Sequence, residues 1–257
     1  MPYKTLEAEK LRVSVYANRI EMGAAAAAEA GDRIKELLAT RDGYVSIIFA
    51  AAPSQNEFLL HLSRDASIYW PRIIAFHMDE YVGLEQSAPQ SFSTFLRNSI
   101  FEKVPVHKVH YIDGSAENPA AECERYTSLL KQYPPDIVCM GIGENTHIAF
   151  NDPYIADFND QHLVKVVTLD QASRDQQVHD GCFPDISKVP TEAITLTVPA
   201  LLQAGSLFCM VPGKNKATAV FKTLYDEVSN ATPSTSLRAH PDARLYLDVD
   251  SAAQLNL

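Results

Sequence analysis

Residues 44–62, YVSIIFAAAPSQNEFLLHL, join a short apolar run, a turn and an amphipathic stretch, and this order predicts the fold. The run YVSIIFA (44–50) has the length and composition of a buried strand. The residues PSQN (53–56) then interrupt it, and FLLHL (58–62) continues with apolar side chains at helical spacing. The segment therefore predicts a strand, a turn and a helix, the unit from which parallel α/β sheets are built.

The same order recurs along the chain. Further strand-like runs are RIIAFHM (72–78), DIVCMG (136–141), VKVVTL (164–169), AITLTV (193–198), LFCMV (207–211) and a last one at DARLYLD (242–248). Helical patterns cover residues 19–39, 94–104, 120–132 and 215–228. The alternation predicts a largely parallel sheet with helices on both faces, in one continuous domain over residues 1–257. In such sheets ligands bind in the loops at the carboxyl ends of the strands.

Composition excludes several classes of partner. The chain has 22 Lys and Arg against 32 Asp and Glu, a net charge of -10, which opposes binding to nucleic acid or to an anionic membrane. The sequence lacks an apolar stretch of membrane-spanning length, and MPYKTLEAEK (1–10) does not read as a signal peptide, so a cytoplasmic protein is expected. Local cations and backbone donors can still bind a small anion.

Cysteine and histidine spacing does not predict a metal site. The four cysteines are far apart, and Cys139 and Cys209 lie in apolar runs that predict core positions. The other seven histidines do not give His147 a partner at metal-ligand spacing.

Two carboxylates, Asp79 and Glu80, directly follow the strand-like run 72–78. Side chains at the end of a buried strand are well placed for a site, so both are candidate catalytic residues. The alternative is that one of them caps a helix or lies in solvent, as acidic residues commonly do.

A second candidate loop, GIGENTHIAFNDP (141–153), follows the run 136–141. Gly143 allows a ligand to approach the backbone closely. Asn145, His147 and Asp152 add hydrogen-bonding and titratable groups, and a histidine so placed is a candidate acid or base. A lone histidine is otherwise more often structural.

Two helix starts predict an anion site. In the first, Ala51, Ala52, Pro53, Ser54, Gln55 and Asn56 join the first strand to its helix, where backbone donors and the helix dipole favour negative charge. In the second, Lys214 and Lys216 precede a helix, where cations are unfavourable unless an anion offsets them. Ser54 can also be explained as an ordinary helix cap. Together the two loops make a phosphate-like ligand the expected one.

These residues resemble a known family. FHMDEYVGL (76–84), SFSTFLRNSIFEKV (91–104) and GIGENTHIAFNDP (141–153) are similar to the signature segments of the glucosamine-6-phosphate deaminase/isomerase family. The resemblance continues through AITLTVPALLQAG (193–205) and VPGKNKATAV (211–220) to STSLRAHPDARLYLD (234–248). It implies the three-layer α/β/α sandwich, with a mostly parallel sheet, that this family shares with ribose-5-phosphate isomerase-like proteins.

The resemblance also implies roles for individual residues. An aspartate at the place of Asp79 moves a proton between C2 and C1 of the opened sugar, and a histidine at the place of His147 assists ring opening. A lysine matching Lys216 contacts the phosphate, and the loop matching 51–56 wraps it. The implied reaction converts an amino-sugar phosphate, glucosamine 6-phosphate or a close relative, to a ketose phosphate and ammonia, with neither metal nor organic cofactor.

The chain departs from the family pattern around the histidine and the phosphate, which indicates a divergent branch. Asn145 occupies the place where family members have an aspartate. The negative charge that stabilises the imidazolium form of His147 therefore has to come from Asp152 or Glu144. A family arginine aligns with His179, and Arg174 is the candidate replacement.

Two alternatives share this fold. A 6-phosphogluconolactonase-type enzyme hydrolyses a lactone with a loop histidine as base, although its signatures differ from DEY (79–81) and HIAFNDP (147–153). The second alternative is a non-catalytic sugar-phosphate sensor. Such a sensor requires a protein partner, because the negative net charge of the chain disfavours binding to DNA. Family members vary in assembly, so a homo-oligomer is left open.

Overall fold

The structure, a computed structural model, describes residues 1–256. Its strands are β1 (Lys4–Ala8), β2 (Leu11–Tyr16), β3 (Val45–Phe49), β4 (Ile73–His77), β5 (Asp79–Tyr81), β6 (Lys108–His110), β7 (Ile137–Met140), β8 (Val164–Thr168), β9 (Glu192–Leu196), β10 (Ser206–Val211) and β11 (Ala243–Asp248). Its α-helices are α1 (Arg19–Thr40), α2 (Asn56–Ser63), α3 (Phe92–Leu96), α4 (Pro119–Gln132), α5 (Gln171–His179), α6 (Val198–Leu202) and α7 (Ala217–Tyr225).

The main sheet has the strand order β1-β2-β11-β10-β7-β3-β4-β6. β1 pairs with β2 antiparallel, and the other neighbouring pairs are parallel. Helices pack on both faces, because alternate residues of each strand enter different core clusters: Ile48 of β3 belongs to one, and Ile47 and Phe49 to the other. The predicted three-layer α/β/α fold with a mostly parallel sheet is confirmed.

A second sheet, of order β5-β9-β8, is antiparallel. The runs 164–169 and 193–198 do form strands, but their expected place in the parallel sheet is wrong. The chain leaves β4 at Met78, whose carbonyl accepts a hydrogen bond from Leu196 N at 2.8 Å, and continues as β5 against β9. This junction places Asp79 between the two sheets, directly beyond the carboxyl end of β4.

Close packing of α1 on α2 fixes the first candidate loop. A Cβ on Gly23 of α1 would meet the backbone and side chain of Glu57 in α2, so only glycine fits this contact. The neighbouring Ala26, Ala27 and Ala30 are also buried. α2 is therefore held against α1 at the end that carries the loop 51–56.

Cys139 and Cys209 are fully buried among apolar neighbours, as expected for core positions. Within residues 1–256, none of the helices has the length and apolar character to span a bilayer.

Candidate active site

One cleft lies at the carboxyl ends of the parallel strands, and four connecting segments line it. The segment after β3 contributes Ala51, Ala52, Pro53 and Ser54, the end of β4 contributes Asp79, the loop after β7 contributes Gly143 and His147, and the loop after β10 contributes Lys216. These were predicted from separate stretches of sequence. The fold brings them together because parallel strands end at the same edge of a sheet.

Asp79 is a buried carboxylate at the floor of the cleft. It is 8% exposed and begins β5, paired with Thr195 of β9. Burial raises the pKa of Asp79 well above its ordinary value, and the negative charge of Glu80 adds to this effect. A raised pKa makes the ionised carboxylate a stronger base, so this group is suited to taking and returning a proton.

Glu80 lies outside the cleft, which argues against its predicted catalytic role. Its carboxylate accepts hydrogen bonds from the backbone N–H groups of Tyr81, Phe92 and Ser93 at 3.0–3.1 Å. Successive strand residues face opposite sides, so Glu80 points away from the side that Asp79 occupies. Its contacts instead fasten the start of α3 behind β5.

His147 stands against Gly143. A Cβ on Gly143 would overlap the imidazole ring of His147, so the loop needs glycine there. Thr146 has φ 75°, a left-handed conformation that a β-branched residue rarely adopts. The loop thus holds the ring close to its own backbone, with Gly143 N donating to His147 O at 2.9 Å.

The Nδ1 atom of His147 faces three oxygens. Asn145 Oδ1 lies at 2.6 Å, Ser173 Oγ at 2.9 Å and Asp152 Oδ1 at 3.2 Å. The amide nitrogen of Asn145 donates to Asp152 at 3.0 Å, which turns the amide oxygen toward the ring. Because amide and carboxylate oxygens only accept, Nδ1 carries the proton of a neutral ring and Nε2 is left as a base.

Asp152 supplies the negative charge that Asn145 lacks. Its side chain is fully buried and accepts hydrogen bonds from Asn145 and Ser173. Burial raises the pKa of Asp152, but His147, Ser173 and Asn145 outweigh this and lower it to about 2. The carboxylate therefore stays ionised beside the ring, and of the two expected sources of charge the structure favours Asp152. Glu144 instead accepts from Asn215 Nδ2 at 2.7 Å.

Lys216 is a buried cation at the other end of the cleft. It is 5% exposed, and its ammonium has no hydrogen-bond or ion-pair partner within residues 1–256. Burial lowers the pKa of Lys216, against the opposing charges of Asp180 and Glu144. An unpaired buried ammonium facing a cleft is suited to binding an anion.

The loop after β3 contributes only part of its predicted residues to the cleft. Ser54 lines it, whereas Gln55 is buried beneath and its Nε2 donates to the carbonyls of Met140 and Met210 at 3.3 and 3.4 Å. Asn56 is exposed and lies outside the lining residues. Gln55 thus joins β7 and β10 beneath the loop.

Arg174 does not reach the cleft, so its predicted phosphate contact is wrong for this structure. Its guanidinium donates to the carbonyls of Ile186 and Val189 at 2.9 and 3.1 Å. His179 is largely exposed and also lies outside the lining. The residues of α5 and its end that do line the cleft are Gln176, Gln177 and Asp180.

Arg19 is a cleft residue that the sequence reasoning missed. Its Nε and Nη2 bind the carboxylate of Glu57 at 2.7 and 2.8 Å, and Nη2 also donates to Pro53 O at 2.9 Å. It opens α1 directly after the cap Asn18. A cation in the first turn of a helix is unfavourable because it opposes the helix dipole. This unfavourable position is the feature of the sequence that could have marked Arg19 as a candidate for anion binding.

Comparison with known proteins identifies the family of the chain. A family model described as glucosamine-6-phosphate isomerases/6-phosphogluconolactonase matches residues 17–246. A glucosamine-6-phosphate deaminase of Streptococcus pneumoniae (strain 70585) is 32% identical over 222 residues, 86% of this chain and 91% of that protein.

Two solved structures share the fold. A monomeric glucosamine-6-phosphate deaminase superposes with a TM-score of 0.84 at 27% identity, covering 95% of this chain and 99% of its own. A 6-phosphogluconolactonase of Thermotoga maritima superposes with a TM-score of 0.76 at 19% identity, covering 93% of this chain and 100% of its own. At this identity the similarity supports the fold alone. On this evidence the chain belongs to the glucosamine-6-phosphate isomerase/6-phosphogluconolactonase family.

Proposed function

We propose that the protein is a deaminating aldose-ketose isomerase that converts an amino-sugar phosphate, glucosamine 6-phosphate or a close relative, to a ketose phosphate and ammonia. The observation that carries the proposal is one cleft with a buried carboxyl group at Asp79, a polarised imidazole at His147 and an unpaired ammonium at Lys216. These three groups match the three tasks of the reaction: proton transfer, ring opening and binding of the phosphate.

Ring opening is assigned to His147. Its free Nε2 takes the proton of the sugar's O1 hydroxyl, the C1–O5 bond breaks, and the imidazolium returns the proton to O5. Asp152 stabilises the imidazolium in between, and Asn145 and Ser173 fix the ring's orientation. The products of this step are an aldehyde at C1 and an amine at C2.

Proton transfer is assigned to Asp79. Its carboxylate takes the proton from C2, next to the aldehyde, while a proton of the substrate's C2 ammonium moves to the aldehyde oxygen, which gives an enol-amine with a hydroxyl on C1 and an amino group on C2. The protonated carboxyl then returns the proton to C1, which leaves an iminium at C2. Water adds there, ammonia leaves, and the C2 ketone of the ketose phosphate remains. Every step uses only substrate, water and side chains of this chain.

The phosphate is assigned to the end of the cleft between Lys216 and the loop 51–54. Pro53 has no N–H to donate, so the anion site relies on the Ser54 hydroxyl, the ammonium and the helix start that follows. Arg19 adds a guanidinium at the rim, with Nη1 unpaired among residues 1–256. We place the whole activity in one domain over residues 1–257, acting in the cytoplasm, and leave a homo-oligomer open.

Ammonia release separates the proposal from its alternatives. The protein is incubated with glucosamine 6-phosphate and, separately, with 6-phosphogluconolactone, and ammonia and lactone hydrolysis are followed. We expect stoichiometric ammonia and ketose phosphate, lost in Asp79→Asn and retained in Asp42→Asn, a matched change at an exposed turn. Rapid lactone hydrolysis without ammonia would support the lactonase instead, and binding without either reaction would support a sensor.

A further inference from the structure

One face of α5 runs along the cleft from the imidazole toward the ammonium. Ser173, Gln177 and Asp180 follow at i, i+4 and i+7, so they share this face. Ser173 Oγ lies 2.9 Å from His147 Nδ1 at one end, and Asp180 lines the cleft at the other. At about 1.5 Å of rise per residue, the stripe is about 10 Å long. This is comparable to the length of an opened, extended hexose 6-phosphate from C1 to the phosphate, so Gln177 faces the middle of a bound substrate.

Gln177 is a largely buried residue whose amide opens onto the cleft without a protein partner. It lines the cleft at 7% exposure, and its side chain makes no hydrogen bond within the described residues 1–256. Its neighbour Gln176 differs, because its Oε1 accepts from Glu144 N at 2.8 Å and its Nε2 donates to Asp180 Oδ2 at 3.2 Å. The amide of Gln177 is therefore open to the cleft and free to donate to and accept from a bound ligand.

Asp180 adds a carboxylate one turn beyond Gln177 on the same helix, and this carboxylate accepts a hydrogen bond from Gln176 Nε2 at 3.2 Å. It caps the carboxyl end of α5, where the helix dipole disfavours negative charge, and still lines the cleft. A carboxylate repels phosphate but accepts hydrogen bonds from hydroxyl groups, and an amide both donates and accepts. The pair therefore suits neutral hydroxyls, whereas the cations Lys216 and Arg19 suit the anion.

We propose that Gln177, together with Asp180, hydrogen-bonds the hydroxyls that lie between the reacting carbons and the phosphate, and so determines which sugar configuration is accepted. This inference rests on the proposed function, since it concerns the same substrate class. The contact is one of binding and specificity, and Gln177 takes no part in the proton transfers.

The test measures dissociation constants for glucosamine 6-phosphate and for galactosamine 6-phosphate, its epimer at C4. Asp79→Asn protein is used so that neither ligand is turned over. We expect at least about tenfold discrimination between the epimers, because a site built to hydrogen-bond a hydroxyl rejects the wrong arrangement strongly. In Asp79→Asn/Gln177→Leu the ratio falls to within about threefold, while the inhibition constant of inorganic phosphate in Gln177→Leu stays within about twofold of wild type.

The control is Gln171→Leu, the same change at an exposed position of the same helix, which leaves both constants unaltered. Melting temperatures of all variants report whether α5 still folds. If the ratio of the two dissociation constants is unchanged in Asp79→Asn/Gln177→Leu, the inference is overturned and the proposed function is not. If the inhibition constant of inorganic phosphate rises as much as the dissociation constants of the substrates, Gln177 contacts the anion and the inference is likewise overturned. Absence of binding of both epimers to protein that retains the native fold overturns the inference and the proposed function together.

Discussion

The carboxylate of Asp152 lies 3.2 Å from Nδ1 of His147, five residues earlier in the chain, on the side of the ring that faces away from Nε2. Asn145 and Ser173 each hydrogen-bond to both His147 and Asp152 and so fix the two side chains relative to each other. The histidine keeps a charged partner even though Asn145, two residues before it, carries an uncharged amide. The pair therefore performs the charge stabilisation that the ring-opening step requires.

Asp152→Asn tests this pair. The amide keeps the size of the side chain but removes the charge, so the imidazolium that forms during ring opening loses its stabilisation. We expect kcat to fall by about 100-fold or more, in line with the usual contribution of general acid–base catalysis, while KM changes little. Steady-state kinetics with the cyclic substrate measure both. Asp250→Asn, at an exposed position, is the matched control, and near-normal kcat in Asp152→Asn would remove the pair from the mechanism.

Gly143→Ala tests the placement of the ring. The added methyl group would overlap His147, so the imidazole has to move or the loop has to open. Because a displacement of about 1 Å can lower a rate about 100-fold, we expect a loss of that order in kcat. Gly205→Ala is the control, since its Cβ meets only Asp136 O at 3.4 Å. Equal activity in the two variants would contradict the geometry described.

Sequence predicted the centre of this site because its main residues directly follow apolar runs. Asp79 directly follows the run 72–78 and His147 lies in the loop after the run 136–141, so a strand assignment alone places both at the ligand-binding edge. The pairing of His147 with Asp152 was one of two options in sequence. Choosing between them required the loop conformation, including the left-handed Thr146.

The rest of the site depends on distant contacts that carry little local signal. Ser173 is 21 residues from Asp152, and Arg19 reaches Glu57 across 38. The prediction for Arg174 was wrong because helix α5 turns about 100° per residue. Gln176 and Gln177 line the cleft, and position 174 instead faces the segment 186–189. The second sheet was missed because short apolar runs do not reveal which sheet they join.

Asp79→Asn is expected to raise stability at neutral pH. Burial raises the pKa of Asp79 in the folded state above its unfolded value. A group shifted in this direction weakens folding as pH rises above the unfolded pKa, because the unfolded chain then releases its proton more readily. Chemical denaturation should show a more stable variant at pH 7, with the advantage disappearing below about pH 4. A variant less stable than wild type at pH 7 would contradict the burial of an unpaired carboxyl group.

Lys216→Met tests the anion site. Methionine keeps the length and apolar stem of the side chain but removes the ammonium. We expect KM for the phosphorylated substrate to rise by about tenfold or more, the loss of one charge-assisted hydrogen bond, and inorganic phosphate to inhibit correspondingly less. Arg19→Gln should act in the same direction but more weakly, since Glu57 neutralises part of its charge. Lys10→Met, on an exposed turn, is the control.

Deuterium uptake at C2 tests the central claim most directly. Wild type and Asp79→Asn are incubated with glucosamine 6-phosphate in heavy water, and C2–H is followed by NMR in the substrate that remains and C1 deuterium in the ketose formed. The account predicts exchange in wild type, no detectable exchange in Asp79→Asn, and substrate affinity within about threefold in both. Exchange at the wild-type rate in Asp79→Asn would contradict the assignment of Asp79 as the base that moves the proton between C2 and C1.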